Sequence, residues 1–143
     1  MNLFAIKTYS FTREERLKSK KLIETLFREG KAFSVFPYRI IYHAGPLPTD
    51  AFPVQVGFTA SSRNFPHAVD RNRVKRLGRE CWRRQKGALY QLLRDHQLQV
   101  AVFFVYTDKQ IAPYENLYKR MGLAIERLGK ALTEGNAGGG RQA

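Results

Sequence analysis

The segment from Asp70 to Lys86 reads DRNRVKRLGRECWRRQK and holds eight Lys or Arg residues against two acidic ones. At about 100° per residue, a helix over this segment divides into two faces. One face gathers seven polar or basic residues within roughly 140°: Arg71, Asn72, Lys75, Arg76, Arg79, Arg83 and Lys86. Val74, Leu77 and Cys81 lie opposite them. The pattern predicts an amphipathic helix, continuing to about Asp95, whose apolar stripe packs on a sheet.

The basic face carries an unrelieved electrostatic cost. Basic residues recur at i,i+4 spacing, as in Arg71–Lys75 and Arg79–Arg83, and such like-charged pairs destabilise an isolated helix. Among the acidic residues, only Glu80 is placed to offset them. With a formal net charge of +13, the pattern favours a polyanion partner over a merely solvated helix face. The preponderance of arginine favours bidentate contacts with phosphate.

The surroundings of this helix favour RNA over DNA. A helix-turn-helix needs a preceding helix and a tight turn, but a predicted strand and the loop Ser61–His67 precede this helix, which disfavours insertion into a DNA groove. Tyr38 and Tyr42 share one face of a predicted strand and could stack on unpaired bases. Their periodicity fits ordinary half-buried strand residues equally well.

The rest of the chain predicts one α+β domain. A helix is expected from Ser19, strands over 36–44, 53–61 and 99–107, a short extra strand at 31–34, and a final helix from Pro113. The element order is therefore α-β-β-β-α-β-α. The close spacing of the strands 36–44 and 53–61 suggests an antiparallel hairpin. We expect an N-terminal arm at 1–12, an RNA-binding domain at 13–134 and a disordered tail at 135–143.

Composition argues for a cytoplasmic binding protein without an active site of its own. The longest apolar run, at 100–106, is far shorter than the roughly 20 residues that span a bilayer. No signal peptide is evident, and the single cysteine, Cys81, suits a reducing compartment and an apolar core position. His43, His67 and His96 are scattered, and Glu14–Glu15 reads as a solvated pair. No metal-ligand or acid–base constellation is evident.

Several motifs together resemble the protein subunit of bacterial ribonuclease P over roughly residues 11–130. The most specific is AVDRNRVKRLGRECWR at 68–83, which is similar to the family's "RNR" helix. Supporting motifs occur in order: F-x-R-x-x-RL at 11–17, LIETLFREG before the first strand, VQVGFTAS in the sheet and VAVFFVY in the last strand.

The resemblance implies a two-layer α/β sandwich with a four-stranded mixed sheet and a left-handed βαβ crossover. It also implies that a catalytic RNA subunit, using Mg²⁺ held mainly by that RNA and the substrate, removes the 5′ leader from precursor tRNA. The protein would bind the ribonuclease P RNA and the leader, with neither DNA nor a membrane as partner. The alternatives are a basic ribosomal or RNA-chaperone-like protein with no processing role and, less favoured, a stand-alone ribonuclease.

The resemblance also assigns residues to two surfaces. The RNA-contacting set comprises Arg71, Asn72, Arg73, Lys75, Arg76 and Arg79, and the basic face adds Arg83. The leader cleft would be formed by Ile23 and Phe27 of the first helix, Tyr38 and Tyr42 of the strand, and Arg63 of the loop. Ile23 stands where many members carry an aromatic residue.

Overall fold

The computed structural model describes residues 10–134 in full and the backbone of the last helix as far as Gln142. After a 3-10 turn at Arg13–Glu15, the elements are α1 (Lys20–Glu29), β1 (Lys31–Val35), β2 (Tyr38–Ala44), β3 (Val54–Ala60), α2 (Ala68–Gln85), α3 (Gly87–Asp95), β4 (Val100–Tyr106) and α4 (Tyr114–Gln142). The predicted α+β order and the short extra strand are confirmed. The helix predicted to run to Asp95 is instead two helices.

The four strands form one mixed sheet in the order β1-β2-β4-β3. β1 and β2 form an antiparallel hairpin, β2 is antiparallel to β4, and β3 is parallel to β4. The predicted hairpin between β2 and β3 is wrong, because β4 lies between them. β4 reads VAVFFVY and is apolar on both faces, so the central position buries it best.

Strand alternation sends successive side chains to opposite faces of this sheet. Even-numbered residues of β2, β3 and β4, among them Ile40, Val56 and Phe104, join the large core beneath α2, α3 and α4. Odd-numbered residues of the same three strands face the other way, where Ile41 and Ala101 meet Leu26 of α1 in a second, smaller cluster. The two faces therefore differ in kind: three helices cover one, whereas α1 covers only part of the other.

A buried ion pair joins the N-terminal segment to the point where α2 ends. Lys86, between α2 and α3, is 2% exposed, and its ammonium donates to the carboxylate of Glu15 and to the carbonyl oxygen of Ser10. The Tyr90 hydroxyl also donates to Glu15 Oε1 at 2.7 Å. The predictions of an exposed Lys86 and a solvated Glu15 are therefore wrong. The two residues are 71 positions apart in the sequence, and helical periodicity gives no information about contacts between such distant residues.

The N-terminal segment also closes one edge of the sheet. Leu17 N donates to Val56 O at 3.0 Å, and Arg16 forms a bridge to Val56 on β3. Phe11 packs against the large core. Of the predicted arm, residues 1–9 lie outside the described residues, as do the side chains of the predicted tail at 135–143. No helix in the described part of the chain is both long and apolar enough to cross a bilayer.

Replacing Lys86 alone should destabilise the protein strongly. In Lys86→Met the Glu15 carboxylate stays buried without its cation, and breaking a buried pair in this way typically costs about 3–5 kcal/mol of unfolding free energy. The double variant Glu15→Gln, Lys86→Met removes both charges and should recover much of that loss. Urea unfolding of both variants measures the difference. A double variant no more stable than Lys86→Met would contradict the role of the ion pair.

Candidate RNA interface

The loop before α2 is held in place by the first arginine of the basic helix. Arg71 Nη1 donates to the carbonyl oxygens of Phe65 at 2.8 Å and Pro66 at 2.9 Å. Asn64 N donates to Ser61 Oγ within the same loop. Arg71 therefore has a structural role beside any contact with a ligand.

The apolar side of α2 packs on the sheet as predicted, but its stripe is rotated from the predicted one. The buried residues are Val74, Gly78, Cys81 and Trp82, whereas Leu77 is half-buried. Gly78 permits this close approach, because a Cβ there would stand 2.8 Å from Phe58 Cδ2. Burial raises the pKa of the Cys81 thiol to about 12, which keeps it protonated at neutral pH.

Burial of Trp82 shifts the exposed face of α2 relative to the predicted one. Asn72, Arg73 and Arg76 are exposed, whereas Lys75 and Arg79 are half-buried on the flank. The structure thus brings the predicted RNA-contacting residues onto one side of one helix. Arg73 and Arg76, rather than Arg71 and Lys75, are its most exposed cations.

The basic face is electrostatically uneven along its length. Toward its C-terminal end, Glu80 Oε2 accepts from Arg83 Nη2 at 2.5 Å and from Arg84 Nε at 3.2 Å. Within residues 10–134, no carboxylate forms an ion pair with Arg73, Arg76 or Arg79. Positive charge is therefore least compensated between Arg73 and Arg79, ahead of Glu80.

Arg16 adds a further cation to this uncompensated group, although it was not among the predicted site residues. Burial lowers the pKa of the Arg79 guanidinium, and the neighbouring charges of Arg16 and Arg76 lower it further. Arg16 is exposed and lies over the Phe11 ring at 5.5 Å. Its position in the F-x-R-x-x-RL motif was the available signal.

A second candidate surface lies between α1 and the sparsely covered face of the sheet. Ser19 caps α1 by accepting from Leu22 N at 3.2 Å, and the helix anchors Leu26 in the small cluster. Phe27 is 52% exposed, and its ring meets Phe103 edge to face at 5.3 Å. Phe103 in turn lies against Gly57, where any Cβ would come within 2.5 Å of the ring. Two aromatic rings thus stand at the open side of α1.

Beyond these rings the same face continues with an apolar floor and a cation. Val105, half-buried, adjoins the small cluster, and its register partners are Arg39 on β2 and Thr59 on β3. Arg39 is exposed. We call the surface formed by Phe27, Phe103, Val105 and Arg39 the α1 groove. It offers aromatic surface for bases and one cation for phosphate.

The strand side of the predicted leader cleft is wrong. Tyr38 is 2% exposed and packs between Phe104 and Tyr106 in the large core, and Tyr42 packs against that same core. Both tyrosines point away from α1. The alternation placed them correctly on one face of β2, but it carries no information on which helices cover that face. Phe103, which was predicted to lie within a fully buried strand, is the strand aromatic that lies beside α1.

Of the two other predicted cleft residues on which the structure bears, Ile23 is packed and Arg63 is exposed. Ile23 packs against the small cluster beside Leu26 and acts as core. Arg63 is exposed on the loop before α2. In the described residues, no group of three His, Cys, Asp or Glu side chains is placed to hold a metal ion.

Comparison with known proteins matches both the sequence and the fold. The Ribonuclease P family model matches residues 11–129. The ribonuclease P protein component of Porphyromonas gingivalis is 33% identical over 121 residues, covering 85% of this chain and 88% of the relative. That of Chlorobium phaeobacteroides is also 33% identical, with 83% and 88% covered.

Solved structures share the fold at lower identity. The RNase P protein from Thermotoga maritima superposes with a TM-score of 0.63 at 18% identity, covering 79% of this chain and 96% of that one. The Staphylococcus aureus RNase P protein gives 0.58 at 14% identity, with 81% and 95% covered. Since the family model spans most of the chain and relatives are one third identical over most of their length, the chain belongs to the family of ribonuclease P protein components.

Proposed function

We propose that this chain is the protein component of ribonuclease P. It binds the catalytic RNA through the basic face of α2 and holds the 5′ leader of precursor tRNA in the α1 groove. The leader is single-stranded, so its bases can stack on Phe27 and Phe103 while Arg39 meets a phosphate. The RNA subunit carries out the endonucleolytic step.

The uncompensated cluster of Arg16, Arg76 and Arg79 carries this proposal. The charges of Arg16 and Arg76 both act on the Arg79 guanidinium, and none of the three arginines forms an ion pair with a carboxylate of the described residues. Self-repulsion of this kind destabilises the folded state unless a polyanion neutralises it. Arginine forks suit phosphate oxygens in particular. The α1 groove and this cluster are linked through the N-terminal segment, which bridges from Arg16 to β3.

The chemistry of cleavage is assigned to RNA-bound Mg²⁺. Such an ion would activate water and stabilise the leaving oxygen, with the RNA subunit and substrate supplying most of its ligands. The residues of this chain position the leader and neutralise phosphate charge, and this would lower the Mg²⁺ concentration that the RNA needs. Tyr38, Cys81 and the buried Glu15 serve the core. We place the assembly in the cytoplasm, where precursor tRNA is made.

A basic ribosomal or RNA-chaperone-like protein is the alternative, and reconstitution separates the two. Added to a bacterial ribonuclease P RNA at low Mg²⁺, this chain should restore cleavage of precursor tRNA at the 5′ end of the mature sequence. An RNA chaperone would bind the RNA without restoring site-specific cleavage. Activity of the protein without the RNA subunit would instead indicate a stand-alone ribonuclease and contradict the proposal.

Neutralising the uncompensated arginines of α2 should weaken binding to the catalytic RNA. In Arg73→Ala, Arg76→Ala, Arg79→Ala the slope of log affinity against log salt should become shallower by about one unit per lost phosphate contact. The control, Arg94→Ala, Lys109→Ala, Lys130→Ala, removes the same charge from exposed positions elsewhere. Filter binding over a salt series gives both slopes. Equal slopes for the two triple variants would mean that only net charge matters.

Removing the rings of the α1 groove should weaken the precursor selectively. Phe27→Ala or Phe103→Ala in the reconstituted enzyme should reduce affinity for precursor tRNA roughly 5- to 150-fold for each base that loses its stacking partner. Affinity for mature tRNA, which lacks the leader, should stay unchanged. Tyr42→Ala, on the opposite face of the sheet, is the matched aromatic control and should spare both ligands. A leader-specific loss in Tyr42→Ala, or equal losses for both ligands in Phe27→Ala, would overturn the assignment.

A further inference from the structure

A second cleft lies at one corner of the sheet, where the turn between β1 and β2 meets the end of β4. It is a cavity of about 480 Å³ between the β1–β2 turn and the start of α4. Its lining includes two exposed apolar side chains, Phe36 of the turn and Leu123 of α4, which are 64% and 46% exposed. Lys119 and Arg120, on the same helix as Leu123, also line it. We call it the hairpin cleft.

Hydrogen bonds hold two parts of the hairpin cleft in place, the β1–β2 turn and the loop before α4. The carbonyl oxygen of Pro37, next to Phe36, accepts from Thr107 N at 2.8 Å and from Thr107 Oγ1 at 2.9 Å. In the loop that leads to α4, the Tyr106 hydroxyl donates to Gln110 O and accepts from Ala112 N. The exposed Phe36 ring therefore stands on a fixed turn, so little ordering entropy is lost when a ligand contacts it.

The charges of the cleft select its occupant. Within residues 10–134, neither Lys119 nor Arg120 forms an ion pair with a carboxylate. Asp108 and Asn116 also line the cleft. At the edge of a base the Asp108 carboxylate can accept hydrogen bonds, and the Asn116 amide can both accept and donate them. An exposed aromatic ring, two free cations and a few polar groups are the features that an unpaired nucleotide requires. An apolar protein partner would leave the two cations desolvated and unpaired.

We propose that the hairpin cleft binds an unpaired nucleotide of RNA, with its base on Phe36 and its phosphate at Lys119 and Arg120. This inference rests on the proposed function, and it adds an RNA contact at the β1–β2 turn, separate in sequence from the basic face of α2 and from the α1 groove. The protein would then contact RNA at three places: the basic face of α2, the α1 groove and the hairpin cleft.

A local fluorescent reporter tests this site directly. Because Phe36 is exposed, Phe36→Trp keeps the fold and places an indole in the cleft, while the native Trp82 is fully buried. A single-stranded RNA hexamer should quench the new indole to saturation, and an abasic hexamer of equal charge should not. Adding Arg120→Ala should weaken the quenching and make its salt dependence shallower by about 0.7 units, the single-strand value for one phosphate. Lys130→Ala on the same helix is the charge control and should leave both unchanged.

Three results would overturn the hairpin cleft as a nucleotide site. These are equal quenching by intact and abasic RNA, equal effects of Arg120→Ala and Lys130→Ala, and quenching that follows protein concentration without RNA, which would indicate a self-interface. The α2 triple variant in the reporter chain should still be quenched at saturating RNA. If RNA does not quench the reporter but the unmodified chain still restores leader-dependent cleavage, this inference alone is rejected. The proposed function then remains intact.

Discussion

The buried pair of Glu15 and Lys86 is the constraint on which the arrangement of the binding surfaces depends. Two charges removed from water are tolerable only when each satisfies the other and further hydrogen bonds complete the set. Tyr90 supplies one such bond to the carboxylate, and Ser10 accepts one from the ammonium. The pair fastens the N-terminal segment to the junction of α2 and α3. As a consequence, Arg16 lies near Arg79 at the β3 edge. A cation that is distant in the sequence thereby joins the cations of α2 in one cluster.

The topology of the sheet then separates packing from binding. Because β3 and β4 are parallel, the chain must cross over between them, and α2 and α3 make that crossover above the large core. The apolar stripe of α2 is thereby fixed on the sheet, and its charged side must face outward. The opposite face of the sheet receives only the ten-residue α1, which is too short to cover four strands. The α1 groove is the part of that face which α1 leaves open.

Local pattern predicted the elements well and the long-range pairings poorly. The amphipathic pattern of α2, the strand alternation and the capping at Ser19 are each set by neighbours within a few residues. The placement of Tyr38 and Tyr42 failed because alternation fixes which residues share a face but not which helices cover it. The predictions that Lys86 and Glu15 are exposed were wrong for the same reason. A charge that lies on the polar side of a helical wheel can still be buried by a partner distant in sequence. The β2–β3 hairpin failed because the insertion of β4 is decided by global burial rather than by the length of a linker.

Charge compensation along α2 implies that its arginines do not contribute equally to RNA binding. Arg83 and Arg84 share Glu80, whose pKa is lowered chiefly by the hydrogen bond from Arg83. Before either arginine can bind phosphate, it must give up or share that carboxylate, and the released carboxylate then repels the incoming phosphate. Arg73, Arg76 and Arg79 form no such ion pair within the described residues, so a phosphate there relieves repulsion instead of replacing an attraction. Affinity should therefore concentrate at Arg73, Arg76 and Arg79, next to Arg16, and Glu80 should direct the RNA toward the N-terminal part of the helix.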